Sequence, residues 1–276
     1  MIPVVYCGNK KVFEGIFLSA TSMARRTKEA LHINVFTMDY TKTNEEYEPI
    51  SQKQIDVLDS AIKRFNGDSG AKLHDLSQRF TEEFEGGKNL KTEYTPYAFL
   101  RFFMDDAVIL PYGKAIYLDA DTMCCKDIKE LWDIDIQGYE YGAVLDHMGR
   151  FWVNRRYCNS GVLLINLEEI RRTNLFYNCR KLLYKRWFKM PDQSALHLLA
   201  KSRLYLPQRF NEQRGIKGDT VIKHFNKGIK VFPFFHIYNI KQWHREAVHK
   251  KLKIYDFDMD YEYYDSFARK LEEDKI

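Results

Sequence analysis

Nothing in this 276-residue sequence approaches the roughly 18 uninterrupted apolar residues that a membrane-spanning helix needs. Its start, MIPVVYCGNKK, has neither a basic leader nor an apolar stretch of signal length, so the expectation is a chain neither exported nor membrane-spanning. Cysteine is scarce and badly spaced for cross-linking or zinc. The five (Cys7, Cys124, Cys125, Cys158 and Cys179) are odd in number, form no Cys-x-x-Cys pair and include two direct neighbours, which fits a reducing cytoplasm. No Gly-rich phosphate loop, internal repeat or low-complexity linker is present. Charge of one sign is lacking too: 43 Lys and Arg against 38 Asp and Glu leave only +5, which gives no footing for nucleic-acid binding.

What is present is a rhythm of short apolar runs and helical patterns. IPVVY, a helix from about Val12 to Arg25, HINVFTM and a helix from Ile55 to Phe65 predict a βαβα unit, the mark of a mostly parallel sheet flanked by helices. AKLHDL is a third strand, and YTPYAFLRFFMDD reads as helical with Pro96 in its first turn. AIYLD, YGAVLD and SGVLLINL supply three more strands, the last apolar enough to be central and covered on both faces. A helix follows Pro191, and DTVIKHF reads as the last strand. From Lys241 onward the pattern becomes charged and aromatic, so the division expected is a catalytic domain over 1–240 and a C-terminal helical appendage over 241–276. Its basic stretch KQWHREAVHKKLK suits an anionic membrane surface or ligand, or is simply a solvated helix face.

Chemistry concentrates in AIYLDADTM. Alternate residues of an extended strand point the same way, so Asp119 and Asp121 could offer oxygens to one cation if the chain stays extended through the small Ala120, which also lets a bulky ligand approach. Ligands of open α/β sheets gather at the carboxyl ends of strands, where this pair falls. Oxygen donors favour Mg²⁺ or Mn²⁺, ions that complete their shell with substrate phosphate. The same spacing at Asp133 and Asp135 follows no apolar strand, and acids at a strand end can also serve only as turn caps.

Taken in order, IPVVYCGNKKVFEG, YAFLRFF, AIYLDADTM, YGAVLDH, YCNSGVLLINL, PDQSALHLL and VIKHF resemble glycosyltransferase family 8 from about Ile2 to His244. The family comprises retaining enzymes that include bacterial lipopolysaccharide galactosyl- and glucosyltransferases. The resemblance implies a GT-A-type nucleotide-diphospho-sugar transferase fold. It also implies Mn²⁺, with Mg²⁺ as the substitute, held by Asp119, Asp121 and His224, the imidazole being neutral when it binds. Arg101 matches the arginine expected to reach the sugar or diphosphate, where a guanidinium can fork onto anionic oxygens. Asp146, Asn159, Asp192 and Gln193 match donor-sugar contacts, although Asp192 could equally cap the helix after Pro191. Cys7, Gly8 and Asn9 fall where the family binds uracil and ribose; Asn9 replaces the usual acid and Val12 the stacking aromatic, and the Asn9 carboxamide can still accept from the base. The family's diphosphate-binding lysine matches Lys230 by distance and Lys241, within Lys-Gln-Trp, by motif.

The activity implied is transfer of a hexose, galactose or glucose, from a UDP-sugar to a glycan or glycolipid. The expected setting is cytoplasmic, with peripheral contact at the inner face of the membrane. Arg101, Asp192 and Gln193 are the catalytic candidates, Gln193 as the stabiliser of an oxocarbenium-like state in a front-face substitution, because no second carboxylate stands out as a nucleophile. Two other classes use the same acids: a metal-dependent nucleotidyl or phosphoryl transferase, which would release pyrophosphate or phosphate, and a non-catalytic nucleotide-sugar-binding protein, which would bind without turnover.

Overall fold

The computed structural model of the chain describes residues 1–90, 95–230 and 236–272. Strands β1 (Ile2–Cys7), β2 (Leu31–Thr37), β3 (Gly70–Asp75), β4 (Lys114–Leu118), β6 (Tyr141–Leu145), β7 (Cys158–Asn166) and β8 (Arg203–Tyr205) form one seven-stranded sheet in the order β3-β2-β1-β4-β7-β6-β8. Only β7 runs against the others, so the sheet is mostly parallel, as the alternating pattern predicts. A second pair, β5 (Thr122–Cys124) with β9 (Ile222–His224), and a hairpin of β10 (Gly228–Lys230) and β11 (His236–Tyr238) lie outside it. DTVIKHF is thus followed by a hairpin that the sequence reading did not include.

The helices are α1 (Phe13–Arg26), α2 (Gln52–Lys63), α3 (Ser77–Phe84), α4 (Lys129–Trp132), α5 (Gly149–Trp152), α6 (Leu167–Thr173), α7 (Leu175–Lys185), α8 (Pro191–Leu199), α9 (Arg245–Ala247) and α10 (Asp258–Glu272). Ser51 opens α2 with a reciprocal capping box to Gln54. Pro96–Phe103 winds as a 3₁₀ helix with Pro96 at its start. Within it Arg101 Nε donates to the Ala98 carbonyl at 2.8 Å.

Period-two alternation divides the core. From β1, Ile2, Val4 and Tyr6 face the layer holding α1 and α2, whereas Val5 and Cys7 face the layer holding the 3₁₀ helix, α3 and α7. β7 is buried along all but its last residue, which is what a central, doubly covered strand requires.

The C-terminal helices pack on α1 around Leu18, Met123, Val248, Phe257 and Tyr261. They are fixed there by the fully buried Asp260, which accepts from Arg25 Nε at 3.0 Å and from Arg26 Nη2 at 2.9 Å.

Candidate functional site

Two crossings of the chain assemble the acids. β4 ends at Leu118, and the backbone turns at Ala120 and Asp121 instead of staying extended. Thr122 Oγ1 closes the turn by donating to the Asp119 carbonyl at 2.9 Å, while the Asp119 N–H donates to the Gly161 carbonyl of β7 at 2.8 Å. β5 then pairs with β9 so that Thr122 opposes His224, and the Phe225 N–H donates to the Asp121 carbonyl at 2.8 Å. The outcome is one ligand atom each from Asp119, Asp121 and His224, all within 4.8 Å of one another. The turn brings the carboxylates together although the extended geometry does not persist.

His224 Nε2 stands 3.1 Å from Asp121 Oδ1 and 3.9 Å from Asp119 Oδ2. Its Nδ1 lies 3.0 Å from Asn211 Oδ1, an acceptor, so Nδ1 carries the proton and Nε2 faces the acids. Two carboxylate oxygens and one imidazole nitrogen converge here, and hard oxygen donors with one imidazole suit Mn²⁺ or Mg²⁺. The donor set therefore fits such an ion. Gly161 makes the closeness possible: a Cβ there would stand 2.2 Å from His224 Cε1 and 2.7 Å from Asp119 Oδ2.

The two acids differ electrically. Burial and the Asp121 charge push the Asp119 carboxyl up, opposed by Arg101 and His224. Burial acts the same way on Asp121, but His224 and the Lys241 ammonium outweigh it and hold that carboxyl far below the usual range. Lys241 Nζ donates to Asp121 Oδ2 and also to the Phe225 carbonyl, the latter at 3.1 Å. Arg101 is buried; burial would lower its pKa, yet the Asp192 and Asp119 carboxylates keep it charged. Its guanidinium lies over the Tyr117 ring, 4.2 Å from the centroid, and Nη2 donates to Asp119 Oδ1 at 3.0 Å. Burial raises the Tyr117 phenol, which remains protonated and donates to the same oxygen at 2.7 Å. With Oδ1 so engaged, Oδ2 is the oxygen turned to His224.

The sugar-contact candidates form a network continuous with this cluster. Asn211 Nδ2 donates to Asn159 Oδ1 at 2.9 Å, and Asn159 Nδ2 donates to Asp146 Oδ2 at 2.9 Å. Gln193 Nε2 donates to Asp146 Oδ2 at 3.2 Å, and Gln193 Oε1 accepts from the Ser160 N–H at 3.2 Å. Ser160 Oγ donates to Asp192 Oδ2 at 2.8 Å, and Arg101 Nη1 pairs with that oxygen at 3.1 Å. From Arg101 the path returns to Asp119. Asp192 is not a helix cap: Met190 holds that position, and Pro191 opens α8 without a side-chain cap bond.

Cys7, Gly8, Asn9 and Val12 lie together where β1 meets α1. Burial pushes the Cys7 thiol up, so it stays protonated. Gly8 packs against Val12, whose Cγ2 would stand 2.5 Å from a Cβ at residue 8. Asn9 Nδ2 donates to the Glu46 carbonyl at 3.2 Å. The Lys230 side chain lies outside the described residues. Of the two candidate lysines, it is Lys241 whose contact with the acids is described, and Gln242 donates to the carbonyls of Ala120 at 2.6 Å and Gly15 at 3.3 Å.

Sequence reasoning missed Asn211, Tyr117, Ser160, Gly161 and Gln242. Tyr117 precedes Asp119 by two residues on a strand, a spacing that places both on one face. Gly161 is a small residue opening an apolar strand, which signals a close approach. Asn211 gives no local signal.

The family model described as Glycosyl transferase family 8 matches residues 3–247. The lipopolysaccharide 1,2-glucosyltransferase of Escherichia coli is 27% identical over 180 residues, covering 59% of this chain and 53% of that protein. A probable glycosyl transferase of Streptococcus gordonii, called Gly, is 31% identical over 126 residues, 45% of this chain and 18% of its own. The chain spans about half the length of the first of these relatives and less than a fifth of the second. Among solved structures, the galactosyltransferase LgtC crystallised with donor and acceptor sugar analogues superposes with a TM-score of 0.64 at 18% identity, covering 96% of both chains. The apo glycosyltransferase GlyE of Streptococcus pneumoniae TIGR4 gives 0.64 at 19%, covering 98% of this chain and 63% of its own. These likenesses show the GT-A fold.

Proposed function

Because the chain belongs to glycosyl transferase family 8, we propose that it moves a hexose, galactose or glucose, from a UDP-sugar to a glycan or glycolipid acceptor, with retention and with Mn²⁺ dependence. The observation that carries this reading is the convergence of Asp119, Asp121 and His224 within 4.8 Å. Those three would hold the cation, which when bound supplies a Lewis acid for charge developing on the departing diphosphate.

The chain's own residues do the rest. Asn211 fixes the imidazole tautomer, and Tyr117 with Arg101 fixes the Asp119 rotamer, so the donor atoms need no rearrangement. Lys241, resting on Asp121, supplies a positive charge that can transfer to diphosphate oxygens when the acid takes another partner. Asp146 and Asn159 orient donor hydroxyls. Gln193, with its amide tied to Asp146 and Ser160, presents a dipole beside the anomeric carbon that stabilises positive charge developing there, while Asp192 holds Arg101 in place. Asn9 and the Cys7–Gly8 backbone receive the base. At the tail, Lys250, Lys251 and Lys253 form the basic surface that would meet an anionic membrane carrying a lipid acceptor. Among the described residues no helix is long and apolar enough to cross one.

The test is a panel of nucleotide sugars incubated with and without Mn²⁺, following release of nucleoside diphosphate. A UDP-hexose should be cleaved only with the metal present and not by Asp119→Ala. Release of pyrophosphate or inorganic phosphate instead would establish a nucleotidyl or phosphoryl transferase, and donor binding without turnover a binding protein.

A further inference from the structure

Two cavities beside the acid–imidazole cluster are not used by the donor contacts. The larger, of about 610 Å³, includes Lys223 and Phe225, the residues flanking His224. The smaller, of about 260 Å³, includes His147, next to Asp146. Gln213, Arg214, Asn226 and Tyr238 line both, so the two make one cleft, lined by residues next in sequence to His224 and to Asp146.

Its charge is one-sided. Arg214, Lys223, Lys250, Lys251 and Lys253 line the larger cavity, and among the described residues no Asp or Glu does. Of these, Lys250 pairs with Glu246, while Glu212 pairs with Lys217 at 2.9 Å. Arg214 Nε donates to an imidazole, His147 Nε2, at 2.9 Å rather than to a carboxylate. Lys223 is 4% exposed and donates only to main-chain carbonyls, of His224 at 2.8 Å and Glu212 at 3.2 Å. Of these cations only Lys223 is buried, and an anion entering the cavity would add to the partial compensation that Glu212 gives its ammonium. One more polar group is open: the Asn226 carboxamide oxygen is buried without a hydrogen-bond partner. A hydroxyl donor would satisfy it.

We propose that this cleft receives the acceptor, and that the acceptor is a hydroxylated sugar bearing a phosphate or carboxylate group. Arg214, Lys251 and Lys253 hold the anion, Asn226 takes a ring hydroxyl, and Phe225 and Tyr238 supply apolar walls. The inference rests on the transferase reading for the word acceptor; the anion preference stands on the cleft alone.

The experiment titrates glucose 6-phosphate, galacturonate and glucose into protein saturated with UDP and Mn²⁺, while nucleotide release from the UDP-sugar is followed separately. The charged sugars should bind at least about tenfold more tightly than glucose, with the gap narrowing in high salt. The exposed-site variant Arg214→Ala/Lys251→Ala/Lys253→Ala should lose about tenfold in affinity for glucose 6-phosphate while hydrolysing UDP-sugar at the unmodified rate, and Lys251→Arg should retain binding. Equal binding of glucose, unchanged binding by the triple variant, or inorganic phosphate binding as tightly as the phosphosugar would each overturn the proposal. Vesicles of phosphatidylcholine with and without phosphatidylinositol separate a lipid-borne headgroup from a free phosphosugar, either being support. Preserved anion preference in a protein that releases no nucleotide would remove the donor reading and leave this site in place.

Discussion

The two ends of the proposed donor site are built differently. Around Asp119 each side chain has its orientation set by at least one other: Tyr117 and Arg101 on the acid, Asn211 on His224, Asp146 on both Asn159 and Gln193. At the β1–α1 turn, Asn9 makes one side-chain bond and Val12 offers an aliphatic surface against Gly8. A charged reaction centre gains from groups locked before substrate arrives, because reorganisation is then already done. A base pocket needs only shape and one or two hydrogen bonds, so it tolerates substitution.

That contrast can be broken from its strong side first. Asp121→Asn, which keeps shape but removes charge, should lower nucleotide release by roughly a thousandfold, a loss measured by steady-state kinetics across a Mn²⁺ titration. Asn211→Ala should weaken the metal's apparent affinity by roughly 10- to 100-fold, with much of the loss recovered at saturating Mn²⁺, because it unlocks a ligand without deleting one. Asn9→Ala, on the weak side, should raise KM for the UDP-sugar about fivefold with kcat nearly unchanged, since a single hydrogen bond of about 1 kcal/mol is at stake. A kcat effect at Asn9 as large as that at Asp121 would erase the distinction.

A further effect is one of stability and lies away from both ends. Burial, with Lys72 nearby, lowers His74 from 6.5 to about 4. The unfolded chain then binds the proton more readily than the folded one between those values, so stability falls as pH drops from 6.5 toward 4. Denaturant midpoints at pH 6.5 and 4.5 should show the decline, and His74→Gln should flatten it.

Legibility followed the range of the interactions. β1, β2, β4, β6 and β7 were readable because burial on both faces writes apolar runs into the sequence; β5 and β8, three residues each, leave none. The acid pair was readable from its place after an apolar strand. Its turn at Ala120 was not, because a threonine bond to a main-chain carbonyl and a pairing with β9, about a hundred residues later, impose it. Asn211 was invisible for the same reason: its importance comes from touching both His224 and Asn159, and no local pattern records that. Lys241 and Lys230 stood level on spacing and motif, and the contact of Lys241 with Asp121 is a tertiary one that neither signal records.

Asp121 meets His224 across 103 positions of chain and Lys241 across 120. The partners of Asp119, Arg101 and Tyr117, precede it in the chain, whereas those of Asp121 come a hundred or more residues after it. The cluster around Asp121 therefore exists only once segments a hundred or more residues apart have come together, and anything that loosens either later segment reaches it.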